Sequence, residues 1–127
     1  MKPLLGAVSV AFVLVLGATE PRAARLRCTI VGTPRADILV DTKGDDVICG
    51  LAGNDTIGAR LGNDVLIGGP GKDVLQGGAG HDDLRGGPGR DELYAQDGQR
   101  DVVDGGPGRD HAWVDKSDRV TAVEQLG

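Results

Sequence analysis

From residue 37 onward the chain repeats one pattern of hydrophobic and polar positions every nine residues. Apolar side chains fall at Leu39, Ile48, Ile57, Leu66, Leu75, Leu84, Leu93, Val103 and Ala112. Two residues before each comes an aspartate, at 37, 46, 55, 64, 73, 82, 91, 101 and 110. Two before that comes glycine, at 44, 53, 62, 71, 80, 89 and 108, with Gly98 displaced by one inserted residue near Gly98–Arg100 and Arg35 as the one substitution. Val-Leu, Thr-Ile and Val-Ile pairs favour strands, while Gly-Gly and Gly-x-Asp favour tight turns, because glycine takes left-handed backbone angles freely. The pattern predicts many very short strands separated by glycine turns. Self-similarity at a fixed period is the mark of a repeat architecture.

Composition agrees. The 127 residues include 22 glycines and only 2% aromatics, too few bulky side chains for an ordinary globular core. Length allows one domain at most. Yet 39% of residues are hydrophobic and regularly spaced, which argues against wholesale disorder.

Ahead of the repeats, residues 1–24 read as a secretory signal peptide: Lys2, then the apolar and small run Leu4–Ala18, then Pro21 and the pair Ala23 and Ala24. That run is shorter than the roughly 20 residues of a membrane-spanning helix. Cleavage falls between Ala18 and Ala24. Processing removes Lys2, Arg22 and Glu20, leaving 12 basic and 18 acidic residues, a balance of −6. An acidic chain is a poor partner for nucleic acid or anionic membranes and a good one for a cation. The expected product is secreted, extracellular and monomeric, with no membrane span after processing. In an oxidising compartment the two cysteines, Cys28 and Cys49, read as one disulfide, the alternative being two unpaired buried thiols.

The strongest units are GGPGKDVLQ at 68–76, GGAGHDDLR at 77–85, GGPGRDELY at 86–94 and GGPGRDHAW at 105–113. They resemble the RTX, or hemolysin-type, calcium-binding repeat GGxGxDxUx over residues 32–113. The resemblance implies an all-β fold, a right-handed parallel β-roll with two repeats per turn, in which GGxGxD forms the loop and xUx a three-residue strand. The middle side chain of such a strand faces opposite to its neighbours, so the U residues are expected inside. Residues 25–31 are expected as an N-terminal cap and 114–127, which drops the glycines, as a C-terminal one.

Two repeats per turn stack Asp37, Asp55, Asp73 and Asp91 on one edge and Asp46, Asp64 and Asp82 on the other. Successive turns lie about 4.8 Å apart, so an ion with oxygen ligands at about 2.4 Å can reach both. The resemblance implies several Ca2+ ions held by Asp46, Asp55, Asp64, Asp73, Asp82, Asp91, Asp101 and Asp110 and by the loop glycines Gly53, Gly62, Gly69, Gly71, Gly78, Gly80, Gly87 and Gly89. Magnesium demands shorter, stricter contacts, and zinc prefers His and Cys. Arg35 and the insertion before Asp101 are expected to disturb the pairings they touch, leaving about four to six ions. Small inward side chains return less than ordering the chain costs, so calcium is expected to drive folding.

No catalytic constellation emerges. Ser117 is the only serine after the signal and lies in the tail, and His81 and His111 sit at outward positions, so the expectation is a non-enzymatic protein. Arg90, Arg109, Lys72 and Arg100 read as solvated loop charges. The outward columns Ile38, Thr56, Val74, Glu92, His111 and Val47, Val65, Asp83, Val102 contain no threonine ladder of the kind ice binding needs. Tyr94 and Trp113 are expected to stack one turn apart, covering the C-terminal end of the roll or offering a surface to a sugar or a partner. Calcium-dependent adhesion or carbohydrate binding through the outward faces is the alternative function. An N-terminal signal also departs from the export through a C-terminal signal common among RTX proteins.

Overall fold

A computed structural model describes residues 27–127. The signal-like segment 1–24 and the first two residues of the 25–31 segment lie outside the described residues.

Twelve short strands alternate between two six-stranded parallel sheets. One sheet holds β1 (Ile30–Val31), β3 (Val47–Cys49), β5 (Val65–Ile67), β7 (Asp83–Arg85), β9 (Val102–Asp104) and β11 (Arg119–Thr121). The other holds β2 (Ile38–Val40), β4 (Thr56–Gly58), β6 (Val74–Gln76), β8 (Glu92–Tyr94), β10 (His111–Trp113) and β12 (Gln125–Leu126). Pairings such as Ile48↔Leu66 and Ile57↔Leu75 set each strand against the one 18 residues on, so two nonapeptides make one turn of a parallel β-roll. Among the described residues there is no helix.

Ten of the twelve strands are three residues long, most of them cut short by glycine-containing turns, and only the middle side chain of each of these points inward. Ile48, Leu66, Leu84 and Val103 from one sheet and Ile57, Leu75, Leu93 and Ala112 from the other are fully buried. They form one continuous apolar column, joined by Ala59 and Ala95. Leu39, in the first rung, is only partly buried against it.

Close stacking of the loops depends on glycine. Gly71 has φ +131°, and a Cβ there would run into the carbonyl of Gly53 one turn before. Leu51, at φ 75°, takes the left-handed conformation that Gly69 and Gly87 provide in later repeats.

The inserted residue is absorbed in the exposed stretch Gly98–Arg100. Register then shifts to 19 residues, as in Asp83↔Val102. The extra residue lies on the surface, and the Asp residues on either side keep their hydrogen bonds, Asp82 to Asp101 and Asp91 to Asp110, both at 2.8 Å. Residues 114–127 continue the repeat: β11 and β12 add the last strand to each sheet. At the other end Cys28 and Cys49 form a disulfide, with Cα atoms 5.8 Å apart, that ties the start of the roll to the end of β3.

Candidate calcium-binding loops

The loops lie along two edges. Where the chain crosses from the β1 sheet to the β2 sheet the loops end at Asp37, Asp55, Asp73, Asp91 and Asp110; this is termed the glycine edge. Crossings in the other direction end at Asp46, Asp64, Asp82, Asp101 and Asp118 and form the mixed edge, whose loops carry more side chains. Every Asp expected as a ligand, from Asp46 to Asp110, is at most 5% exposed.

Each edge is a ladder of identical hydrogen bonds. The N–H of Asp37 donates to Oδ1 of Asp55 at 2.9 Å, Asp55 to Asp73 at 2.7 Å, Asp73 to Asp91 at 2.8 Å and Asp91 to Asp110 at 2.8 Å. On the mixed edge Asp46 donates to Asp64, Asp64 to Asp82 and Asp82 to Asp101, all at 2.8 Å. The last rungs use residues outside the motif: Asp101 donates to Asp118 and Asp110 to Glu124, both at 2.9 Å.

The second carboxylate oxygen behaves differently. Oδ2 of Asp55, Asp64, Asp73, Asp82, Asp91, Asp101 and Asp110 is buried with no hydrogen-bond partner. A buried acceptor without a partner costs about 1–3 kcal/mol, and more when charged. Burial accordingly raises the carboxyl pKa of Asp73 and Asp82 to about 6 and of Asp91 and Asp101 to about 7, with the neighbouring carboxylates adding to the rise and the ladder hydrogen bonds opposing it. Asp55, Asp64 and Asp110 are raised for the same first reason.

The first two turns break this rule. Thr42 donates its N–H and its hydroxyl to Oδ2 of Asp46 at 2.8 and 2.7 Å, and Thr29 donates its hydroxyl to Oδ1 at 3.0 Å. Burial pushes the Asp46 carboxyl up, yet these donors together bring it below its ordinary value. Thr33 likewise holds Asp37 through its N–H at 2.6 Å and its hydroxyl at 3.0 Å. Asp46 therefore differs from the seven other expected ligands in having both oxygens satisfied within the chain.

Of the glycines expected at the sites, Gly53, Gly62, Gly71, Gly80 and Gly89 occupy the fourth loop position and Gly69, Gly78 and Gly87 the second, all with positive φ. The first loop position escaped sequence reasoning. At Gly50, a Cβ would fall 2.5 Å from Oδ2 of Asp55 and 2.8 Å from the carbonyl oxygen of Gly68. Gly68 relates in the same way to Asp73 and Gly86, and Gly86 to Asp91 and Gly105. The recurrence of Gly-Gly, rather than of one glycine, was the available signal.

The mixed edge carries a second unforeseen feature, an ion pair between buried Asp41 at the first loop position and exposed Arg60. Asp41 accepts from Arg60 Nε at 2.7 Å and from the Arg60 N–H at 2.8 Å. One oxygen each of Asp41, Asp46 and Asp64 lies within 4.8 Å of the others.

The aromatic side chains turn to one another. Tyr94 and Trp113 stack with centroids 4.3 Å apart and planes 3° from parallel, while His111 stacks on Trp113 at 3.9 Å. Two rings so near cannot share one face of the indole, so Trp113 is sandwiched and has no face left for a sugar ring.

All the converging donors are oxygens, carboxylate and carbonyl, the set a hard cation such as calcium takes. A family model of the RTX calcium-binding nonapeptide repeat (4 copies) matches residues 31–66, 59–93 and 84–112, which together cover more than half of the chain. No curated protein and no solved structure gives a match.

Proposed function

The chain belongs to the RTX calcium-binding repeat family, and on that footing we propose that it is a secreted, non-enzymatic protein that folds as it binds several Ca2+ ions between stacked loops. The observation that carries this reading is the set of seven buried, unpartnered Oδ2 atoms. At about 1–3 kcal/mol each, their combined cost reaches the order of the whole net stability of a small domain, about 5–15 kcal/mol. A cation supplies the missing partner and offsets the repulsion between carboxylates stacked one turn apart.

In this reading Asp55, Asp64, Asp73, Asp82, Asp91, Asp101 and Asp110 offer Oδ2 to the ions while Oδ1 holds the preceding turn. Asp46 offers an oxygen only in competition with Thr42 and Thr29. Backbone carbonyls of the glycine loops, Gly53, Gly62, Gly69, Gly71, Gly78, Gly80, Gly87 and Gly89 among them, complete the oxygen set. Because metal binds the folded chain and not the unfolded one, binding energy appears as folding energy. Export follows from the signal-like residues 1–24, and the sandwiched Trp113 gives no support to carbohydrate binding.

Circular dichroism of the processed chain in chelator and in millimolar calcium tests the proposal. The expected result is a disordered spectrum that becomes β on adding calcium and stays disordered with the same concentration of magnesium. An ordered β spectrum in chelator, unchanged by calcium, overturns it.

A further inference from the structure

Tyr94 has a different neighbour on each side. On the outer face of the β2 sheet it stands in register with Trp113 of β10 and with Gln76 of β6. Trp113 covers one face of the phenol ring, with centroids 4.3 Å apart and planes 3° from parallel. The Tyr94 hydroxyl donates to Oε1 of Glu92 at 3.1 Å. Held at both points, the ring is a fixed platform that loses little freedom when a ligand settles on it.

The other side of the ring is open. A cavity of about 200 Å³ is lined by Tyr94, Gln76, Gly78, Gln96 and Asp97. Its wall on the adjacent turn comes from Gln76 and Gly78, and β10 contributes nothing to it, so it lies against the ring face that Trp113 leaves bare. Gln76 and Gln96 are exposed. Asp97 is held by two loop N–H groups: Gly80 donates to its Oδ2 at 3.0 Å and Gln99 to its Oδ1 at 2.7 Å. Each of those oxygens keeps a lone pair for a further donor. One turn beyond Gln76 the same column carries no side chain, and a Cβ at Gly58 would meet nothing within 4 Å. The cavity therefore opens into a trough along the outer face of the sheet.

These groups describe their ligand by its chemistry. An aromatic face packs against a flat apolar surface, the two amides both donate and accept, and the carboxylate accepts. A pyranose ring meets all of these needs, with a face of C–H groups and a rim of hydroxyls. The single charge in the lining is that of Asp97, which disfavours acidic sugars and phosphates. We propose that Tyr94, Gln76, Gln96 and Asp97 bind one neutral hexose ring of a glycan, whose remainder leaves along the trough over Gly58. Trp113, closed on both faces, supports the platform without touching the sugar. The site depends on the calcium-binding reading only in that the roll must be folded.

Saturation-transfer NMR on the processed chain in millimolar calcium tests the site, with circular dichroism reporting folding. The probes are the methyl glycosides of glucose, galactose, mannose and N-acetylglucosamine, with the methyl glycoside of glucuronic acid and adenosine for comparison. At least one neutral glycoside is expected to bind with a Kd of about 1 mM. Tyr94→Ala should weaken that binding about tenfold, Tyr94→Phe should preserve it, and Gln76→Ala and Gln96→Ala should each weaken it about threefold. A folded chain that binds none of the neutral glycosides, or that binds the acidic glycoside or adenosine more tightly than all of them, overturns the sugar site and leaves calcium binding intact. Unchanged affinity in Tyr94→Ala overturns it as well, and if that variant fails to fold, unchanged affinity in Gln76→Ala and Gln96→Ala does so. A chain that stays disordered in calcium overturns the calcium reading together with the site.

Discussion

The backbone N–H of Asp55 donates to Oδ1 of Asp73 at 2.7 Å, while Oδ2 of the same carboxylate is buried without a partner. One side chain thus does two jobs, with one oxygen joining successive turns and the other left for a cation. Repeated along both edges, this division makes the roll depend on whatever neutralises the second oxygen, whether metal or proton.

A pH dependence of unusual sign follows. Burial raises the folded-state carboxyls of Asp73 and Asp82 to about 6 and of Asp91 and Asp101 to about 7, whereas an unfolded Asp titrates near 3.9. Between about pH 4 and 7 the metal-free folded chain holds more protons than the unfolded one, so stability falls as pH rises. The contribution is complete below about pH 4 and is lost through about pH 6 to 7. Circular dichroism in chelator should therefore show more β structure at pH 5 than at pH 8, where the metal-free chain is disordered, and calcium affinity should weaken as pH drops through the same range. A metal-free chain more stable at pH 8 contradicts this.

Thr42→Val tests the internal substitute for metal at the first mixed-edge turn. It deletes the 2.7 Å hydroxyl bond to Oδ2 of Asp46 and leaves the N–H bond in place. A hydrogen bond to a charged group contributes about 1.5–3 kcal/mol, and a loss at the lower end of that range is expected in urea denaturation with calcium present. Thr33→Val should cost less, because Asp37 is less deeply buried.

Leu51→Gly should stabilise. Leu51 holds φ 75° and is partly exposed, at the loop position where Gly69 and Gly87 sit in later repeats. A non-glycine residue in the left-handed region costs about 1–2 kcal/mol, and the greater freedom of glycine in the unfolded chain takes back part of that. A net gain of about 0.5–1 kcal/mol is expected in the same denaturation experiment, and a loss would show that the Leu51 side chain contributes more than its strained backbone costs.

Removing the disulfide with Cys28→Ser and Cys49→Ser should cost about 3 kcal/mol, from the loop of 21 residues it closes. The damage should be local at first. Hydrogen exchange in calcium is expected to quicken at Ile30–Cys49, where Thr29 reaches Asp46 and β1 pairs with β3, while rungs beyond Asp73 keep their protection. Uniform acceleration along the chain would instead indicate a fully cooperative roll.

Much of this architecture was legible in the residues because in a roll the tertiary neighbour is a sequence neighbour at constant offset. Once Leu39, Ile48 and Ile57 fall nine apart, the inward column follows, and so do the outward columns such as Ile38, Thr56, Val74, Glu92 and His111, which pair in the register the period demands. The tail was harder to read, since Asp118 and Glu124 continue the ladder without the spacing or glycines of the motif.

The sequence by itself therefore determined the period, the parallel sheets, the apolar column and the two files of aspartates, all consequences of nine-residue regularity. Only the tertiary structure decided which carboxylate oxygen is bonded and which is free, that Thr42 satisfies Asp46, and that Arg60 pairs with Asp41 across a turn. It also decided that the insertion lies on the surface and that His111 and Tyr94 enclose Trp113. These depend on side-chain directions at positions where the repeat is broken, and a periodic pattern carries no information about its own exceptions.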